Sequence, residues 1–227
     1  MRPILEAVEH RTDQFARHPL FAWIGDDAIP PEVRLTALAR PLSHFVMSFA
    51  DLYALVLRDP SCADPVQRWV DAHTFEDGGH WKWFLSDLDA LGLAAPTSAS
   101  DALRGLWSER TEQLRMVSYR VAQLGLGADP LQKLVVVLCV EATGKVTLSR
   151  VSPVGDRFAA QSGRRLVYFG GLHLDTESEH TLERPEVARD LARVEVTPER
   201  RAALVAVVDA VFDAFERGAD DLLAAAG

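Results

Sequence analysis

The chain has 227 residues, 48% of them hydrophobic, and its 24 Lys and Arg against 33 Asp and Glu give a net charge of −9. This length favours one packed domain, and the acidic balance argues against a nucleic-acid or anionic-membrane surface. Two cysteines, Cys62 and Cys139, exclude a disulfide framework. The N-terminus lacks a signal-peptide core and no apolar run is long enough to span a bilayer, so we expect a cytoplasmic protein without a membrane partner.

Helical periodicity dominates the chain, because apolar residues recur at three- and four-residue spacings in nearly every segment. This predicts an all-α fold of about seven helices separated by Pro and Gly loops. The expected helices cover residues 1–16, 30–57, 64–91, 98–124, 129–153, 165–182 and 197–227. Pro153 should end or kink the fifth helix, whose apolar run predicts burial on most faces. With no repeat or linker, residues 1–227 are expected to form a single helical domain.

The third expected helix carries a first cluster of candidate metal ligands in the segment HTFEDGGH. An α-helix turns by 100° per residue, so His73, Glu76 and His80 should share one stripe, with Asp77 at its edge. The glycine pair 78–79 inside this segment predicts either close helix packing or a local unwinding that re-aims a ligand.

The sixth expected helix carries a second cluster in the segment HLDTESEH. His173, Glu177 and His180 lie at positions i, i+4 and i+7 and should project from one face. Imidazole and carboxylate donors suit a first-row transition metal, especially iron. One such stripe is usually a solvated helix face, but two stripes together favour a metal site.

Glu141 lies inside the most apolar stretch of the chain, in the segment LCVEA. An unpaired charge there would be costly, and a metal ion shared with the two His clusters would remove that cost. The alternative is an ion pair with Lys145 or with a buried arginine.

The order His80, Glu141, then His173, Glu177 and His180 resembles the haem-oxygenase-like di-iron oxidases and oxygenases. The stretches EDGGHWKWFLSDLDALG and LVYFGGLHLDTESEH are similar to the CADD-like branch of that family. The resemblance implies a seven-helix haem-oxygenase-like bundle with two Fe(II) ions, bridged by Glu141 as the catalytic carboxylate. It also implies O2-dependent C–C cleavage, decarboxylation or N-oxygenation of a small amino-acid-like or fatty-acid-like substrate, and such bundles commonly form homodimers.

The chain departs from the family pattern at one ligand. Family members often place a glutamate seven residues before the first histidine, where this chain has His73. The missing carboxylate is then Glu76 or Asp77, or His73 is itself a ligand. Glu76 is favoured, because a four-residue spacing brings it closer to the azimuth of His80. The expected metal ligands are therefore Glu76, His80, Glu141, His173, Glu177 and His180, with His73 and Asp77 as the alternatives.

Two other functions remain open at this stage. A metal-free enzyme, similar to the TenA hydrolases or the PQQ-synthesis oxidase PqqC, would use Cys139 as its nucleophile, although a buried cysteine is more often inert. A non-catalytic ligand-binding or haem protein would need an axial histidine, for which His18 or His44 could serve. An amino-acid substrate would also need a cationic anchor, and the candidates are Arg40, Arg120, Arg150 and Lys145.

Overall fold

A computed structural model describes residues 1–177 and 179–226, and these residues form helices and loops without any strand. The all-α prediction is therefore confirmed. The α-helices are α1 (Arg2–Phe15), α2 (Pro19–Ile24), α3 (Pro31–Leu52), α4 (Pro65–Asp77), α5 (Trp81–Ala90), α6 (Ala99–Leu106), α7 (Glu112–Gly125), α8 (Pro130–Ser162), α9 (Gly171–Glu177), α10 (Pro185–Arg193) and α11 (Pro198–Ala226). A π-helical turn (Tyr53–Leu57) extends α3, and 3-10 turns cover Glu109–Thr111 and Thr181–Glu183.

The expected count of seven helices is not confirmed, because several expected helices are interrupted. The helix expected at 64–91 breaks at Gly78, where the chain turns before α5. A Cβ at Gly78 would lie 2.9 Å from the carbonyl oxygen of Thr74 and 3.0 Å from the guanidinium of Arg58. Only glycine fits this approach, so the glycine pair marks an unwound turn rather than close packing within one helix.

The helix expected at 98–124 is likewise divided into α6 and α7. Arg115 donates hydrogen bonds of 2.8 and 2.9 Å to the carbonyl oxygens of Leu106 and Ser108. These carbonyls lie at the break, and the arginine replaces the helical hydrogen bonds that the break removes.

The helix expected at 165–182 is reduced to α9, because a buried carboxylate competes for the backbone before it. Asp87 accepts hydrogen bonds of 2.7 and 2.8 Å from the N–H groups of Val167 and Phe169. These bonds hold 165–170 in a non-helical loop, and α9 begins only at Gly171.

Of the two outcomes expected at Pro153, an end or a kink, the end is not observed, because α8 continues to Ser162. Proline removes one backbone hydrogen bond to the carbonyl four residues earlier, here that of Ser149. Both Pro153 and Ser149 are exposed, so water can satisfy this carbonyl and the helix tolerates the proline.

The long helix α8 forms the centre of the bundle and contacts α1, α3, α4, α7, α9 and α11. Its segment from Leu134 to Val137 is fully buried, as the apolar run predicted. Among the described helices, none combines the length and the apolarity needed to cross a membrane. Because α8 carries Glu141 and touches both α4 and α9, it is the scaffold against which the two His clusters are placed.

Two glycines on α8 provide a matched test of this packing. A Cβ at Gly155 would overlap the carbonyl oxygen of Phe169, whereas a Cβ at Gly144 would meet nothing within 4 Å. We expect Gly155→Ala to lower the free energy of unfolding by about 1–3 kcal/mol through overpacking. Gly144→Ala should raise it by up to about 1 kcal/mol through helix propensity. Urea titrations of both variants check the prediction, and equal stabilities would contradict the packing of the 165–170 loop on α8.

Candidate metal centre

Seven potential ligand side chains from three parts of the chain converge inside the bundle. They are His73, Asp77, His80, Glu141, His173, Glu177 and His180. All are buried except Asp77, which is partly buried. They form two groups, and within each group one potential ligand atom per residue lies within 4.8 Å of all the others.

The first group contains Asp77, His80, His173 and Glu177. The Nδ1 atom of His80 lies 2.6 Å from Oδ1 of Asp77 and 3.2 Å from Oε1 of Glu177. The Nε2 atom of His173 lies 2.8 Å from the same Glu177 oxygen and 3.1 Å from Nδ1 of His80. Two nitrogen and two oxygen donors thus face one another at a spacing that a metal ion could fill.

The second group contains His73, Glu141 and His180. Nε2 of His73 lies 3.0 Å from Oε1 of Glu141. His73 is fully buried on α4, and His180 is 4% exposed in the turn after α9. His73, which the spacing left as an alternative ligand, therefore stands among the potential ligands.

Glu177 is the residue that links the two groups. Its Oε1 atom faces His80 and His173, and its Oε2 atom lies 3.0 Å from Nδ1 of His180. Glu141, expected to bridge, lies in the second group only. Glu177 is the last residue of α9 and Glu141 belongs to α8, so the two carboxylates reach the cluster from different helices.

Glu76, the favoured carboxylate of the first cluster, lies outside both groups. Its oxygens accept hydrogen bonds of 2.8 and 2.7 Å from the backbone N–H and the hydroxyl of Thr181, and one lies 3.4 Å from Arg184. The expectation assumed one continuous helix through His80, and the break at Gly78 removes that premise. The carboxylate that faces His80 is that of Asp77, and Glu76 holds the chain next to His180 through its contacts with Thr181.

The hydrogen bonding of His173 determines which of its nitrogens can bind a cation. Its Nδ1 atom lies 2.9 Å from the carbonyl oxygen of Tyr168, and a carbonyl can only accept, so Nδ1 carries the proton. In the neutral ring, Nε2 then directs a lone pair at the carboxylate oxygen of Glu177, 2.8 Å away. Two lone pairs at this distance repel, and a metal cation or a proton between them removes the repulsion.

The second group also contains buried ring nitrogens that need a proton or a cation between them and a carboxylate. Neither ring nitrogen of His73 has a hydrogen-bond partner of good geometry among the described residues, and the same holds for Nδ1 of His180. The close contacts of these nitrogens with carboxylate oxygens are short but misaligned for hydrogen bonds. Buried nitrogens without partners are rare, and a cation bound between donors accounts for them.

Burial and neighbouring charges shift the pKa values of the cluster in opposite directions. Burial raises the pKa of Glu141, and the neighbouring His73 offsets this only in part. Burial lowers the pKa of His80, but its contacts with Asp77 and Glu177 outweigh burial and raise this pKa to about 9. Burial also disfavours the charged form of Glu177, yet contacts with three imidazoles hold its pKa well below the usual range. The interior therefore attracts positive charge.

Surrounding groups hold the candidate ligands in place, and the sequence patterns did not identify these groups. The phenol of Tyr53, in the π-helical turn after α3, donates a hydrogen bond to Oδ2 of Asp77. Burial and the nearby carboxylates of Asp77 and Glu141 raise the pKa of Tyr53 well above its usual value, so the phenol keeps its proton. Trp83 stacks on His80 with ring centroids 4.2 Å apart. The π-helical turn that carries Tyr53 is a structural sign of a functional residue, because such turns are frequent at functional sites. The spacing of residues in the sequence does not predict this turn.

A cavity with a volume of about 150 Å³ adjoins the cluster. Its wall includes five residues of the two groups, namely Asp77, His80, Glu141, His173 and Glu177. Most of the remaining wall is apolar and is contributed by α3, α7, α8 and α11. The first group and Glu141 are therefore accessible to a small molecule held inside the bundle.

The residues named for the other functions lie away from this cavity. Cys139 is fully buried, and burial raises the pKa of its thiol well above the usual value, which disfavours a nucleophilic thiolate. His18 caps α2 by accepting a hydrogen bond from the N–H of Leu20, and His44 packs against Trp107. None of Cys139, His18 and His44 lines the cavity wall.

Comparison with known proteins adds no family assignment. No family model matches the chain, and no curated protein matches it significantly. The geometry of the cluster and of its cavity is thus what indicates a function.

The Glu76 contact gives a test of how the last ligand is held. We expect Glu76→Ala to speed hydrogen exchange of the backbone in residues 179–184 by about 10- to 100-fold, because charged hydrogen bonds contribute about 1.5–3 kcal/mol. Hydrogen–deuterium exchange with mass spectrometry measures the effect. Asp89→Ala is the control, since Asp89 is an exposed acid on α5. Equal exchange in both variants would contradict the anchoring role of Glu76.

Proposed function

We propose that this chain is a non-haem di-iron oxidase or oxygenase that uses O2 on a small amino-acid-like or fatty-acid-like substrate. The reaction classes are oxidative C–C cleavage, decarboxylation and N-oxygenation. The observation that carries the proposal is the lone pair of His173 Nε2 facing a carboxylate oxygen of Glu177 at 2.8 Å, with the tautomer set by the Tyr168 carbonyl. This arrangement calls for a cation between the two atoms.

The donor set supports a pair of metal ions and favours iron. The first group, Asp77, His80, His173 and Glu177, would hold one ion; the second, His73, Glu141 and His180, would hold the other with the second oxygen of Glu177. Mixed imidazole and carboxylate donors without sulfur suit non-haem iron. When bound, a pair of ferrous ions supplies electrons for the reduction of O2.

The chain contributes orientation and a buried environment. Tyr53 fixes Asp77 through its second oxygen, and the carbonyl of Tyr168 fixes the ring of His173. Such outer contacts typically account for 10- to 100-fold in metal affinity. The apolar wall beside the cluster limits access of water to the reacting end of a bound substrate.

The proposal includes a haem-oxygenase-like arrangement of the bundle and a cytoplasmic location. The arrangement is supported by the order of the ligands, which come from α4 and its following turn, then α8, then α9 and its following turn. The location is supported by the two cysteines, which are free.

Iron loading tests the proposal directly. Protein incubated anaerobically with Fe(II) and then freed of excess metal should retain two irons per chain and change its visible absorbance when O2 is added. His173→Ala and His180→Ala should each lower the iron content to about one or less, because each removes a nitrogen donor from a different group. Elemental analysis gives the iron content, and circular dichroism at low temperature checks that the helices remain.

His10→Ala is the matched control, because His10 is exposed on α1 and should not affect iron content. Full iron loading in both His173→Ala and His180→Ala would show that the α9 segment does not bind metal. Wild-type protein that retains no iron and shows no O2-dependent absorbance would refute the proposed function.

A further inference from the structure

We infer that the phenol of Tyr168 is the hydrogen-bond donor that orients a molecule in the cavity, by binding an acceptor oxygen of that molecule next to His173. The orientation of a substrate by this phenol rests on the proposed function, whereas the donor hydroxyl itself does not require a metal ion. Tyr168 thereby has two roles, because its backbone carbonyl also holds the ring of His173.

Among the hydroxyl groups in the cavity wall, that of Tyr168 is not engaged by the protein. The phenol of Tyr53 donates to Asp77. The hydroxyls of Thr143 and Thr147 donate to backbone carbonyls of α8 at 2.8 and 2.9 Å. The hydroxyl of Tyr168 has no hydrogen-bond partner among the described residues. Hydroxyls inside a protein are rarely left unbound, so this donor is available to a molecule in the cavity.

Tyr168 is held on both its backbone and its side chain. Asp87 accepts hydrogen bonds from the N–H groups of the two chain neighbours, Val167 and Phe169. The ring of Tyr168 makes edge contacts with the rings of Phe84 and Phe169, at centroid distances of 5.3 and 5.2 Å. A donor that is already held in place loses little conformational entropy when it binds, so the phenol is suited to orient a ligand.

The position of the phenol determines which atoms of a ligand it would present to the centre. The ring centroids of Tyr168 and His173 are 4.6 Å apart, and Nε2 of His173 faces Glu177 in the first group. An oxygen that accepts the hydrogen bond of Tyr168 would therefore lie next to the first group. The atoms bonded to this oxygen are the ones on which the proposed oxidase would act.

Two neutral probes of nearly equal shape, acetophenone and α-methylstyrene, test the inference. The carbonyl oxygen of the first probe is replaced in the second by a methylene group, which accepts no hydrogen bond. On protein incubated with Fe(II) under nitrogen, equilibrium dialysis should show that Tyr168→Phe weakens acetophenone binding about 5- to 10-fold, the loss expected for one neutral hydrogen bond. Binding of α-methylstyrene should change by less than about twofold, because the aromatic ring is retained.

Tyr119→Phe is the matched control, because Tyr119 is exposed on α7 and should not affect the binding of either probe. A loss of affinity in Tyr168→Phe that is equal for the two probes would show that packing of the ring is responsible, and it would overturn the inference. Wild-type protein that binds neither probe would also overturn it, because the phenol would then be closed to ligands.

The chain has three tyrosines, Tyr53, Tyr119 and Tyr168, which allow the hydrogen bond to be observed directly. In EDTA-treated protein labelled with carbon-13 at the tyrosine Cζ atom, the three signals can be assigned with single Tyr→Phe variants. Acetophenone should shift the Tyr168 signal more than α-methylstyrene does, because Cζ carries the donating hydroxyl. Equal shifts of this signal with the two probes would contradict a hydrogen bond to the ligand.

The outcomes distinguish this inference from the proposed function. Two bound irons, together with probe affinities that do not depend on the phenol of Tyr168, would leave the di-iron proposal standing and overturn the inference. Protein that retains no iron but binds acetophenone through Tyr168 would refute the di-iron proposal, while the phenol would remain the donor of the cavity.

Discussion

The concentration of negative charge inside an apolar bundle is the constraint on which the rest of this structure depends. Asp77, Glu141 and Glu177 lie within one cluster, and burial by itself would favour their neutral forms. Four imidazoles surround them, and Glu177 contacts three of these rings. Removing such charges from water costs several kcal/mol per ion unless positive charge compensates. The stability of a bundle with this interior depends on the cation, proton or metal, that the imidazoles and carboxylates share.

The candidate metal ligands are positioned by interruptions of helices as much as by helices. His80 follows the unwound turn at Gly78, and His180 follows the end of α9 in an extended conformation. Each is secured separately, His80 by stacking on Trp83 and His180 by the contact of Glu76 with the adjacent Thr181. Ligands outside regular helices can approach the centre from directions that a straight helical stripe does not allow, which explains how two groups share Glu177.

The cavity connects this charged cluster to a largely apolar wall, and the combination limits the chemistry. Only the part of a ligand near Glu141 and His173 would meet the donors of the cluster. The remaining wall recognises shape and hydrophobicity and offers little for a second polar group. For the proposed oxidase, the reacting part of a substrate would be the part that lies next to the cluster.

The sequence by itself determined the helical class, the buried character of α8 and the segments whose His and carboxylate residues come together, because these depend on local periodicity and on the cost of burying Glu141. The preference for Glu76 over Asp77 assumed one helix continuing through His80, and the break at Gly78 changes the direction from which His80 approaches. Only the tertiary structure decided that Glu177 links the two groups and that Tyr53 and Tyr168 hold the ligands. Those relations join residues up to about a hundred positions apart, and they depend on how helices cross and end, which the spacing of residues along one helix does not specify.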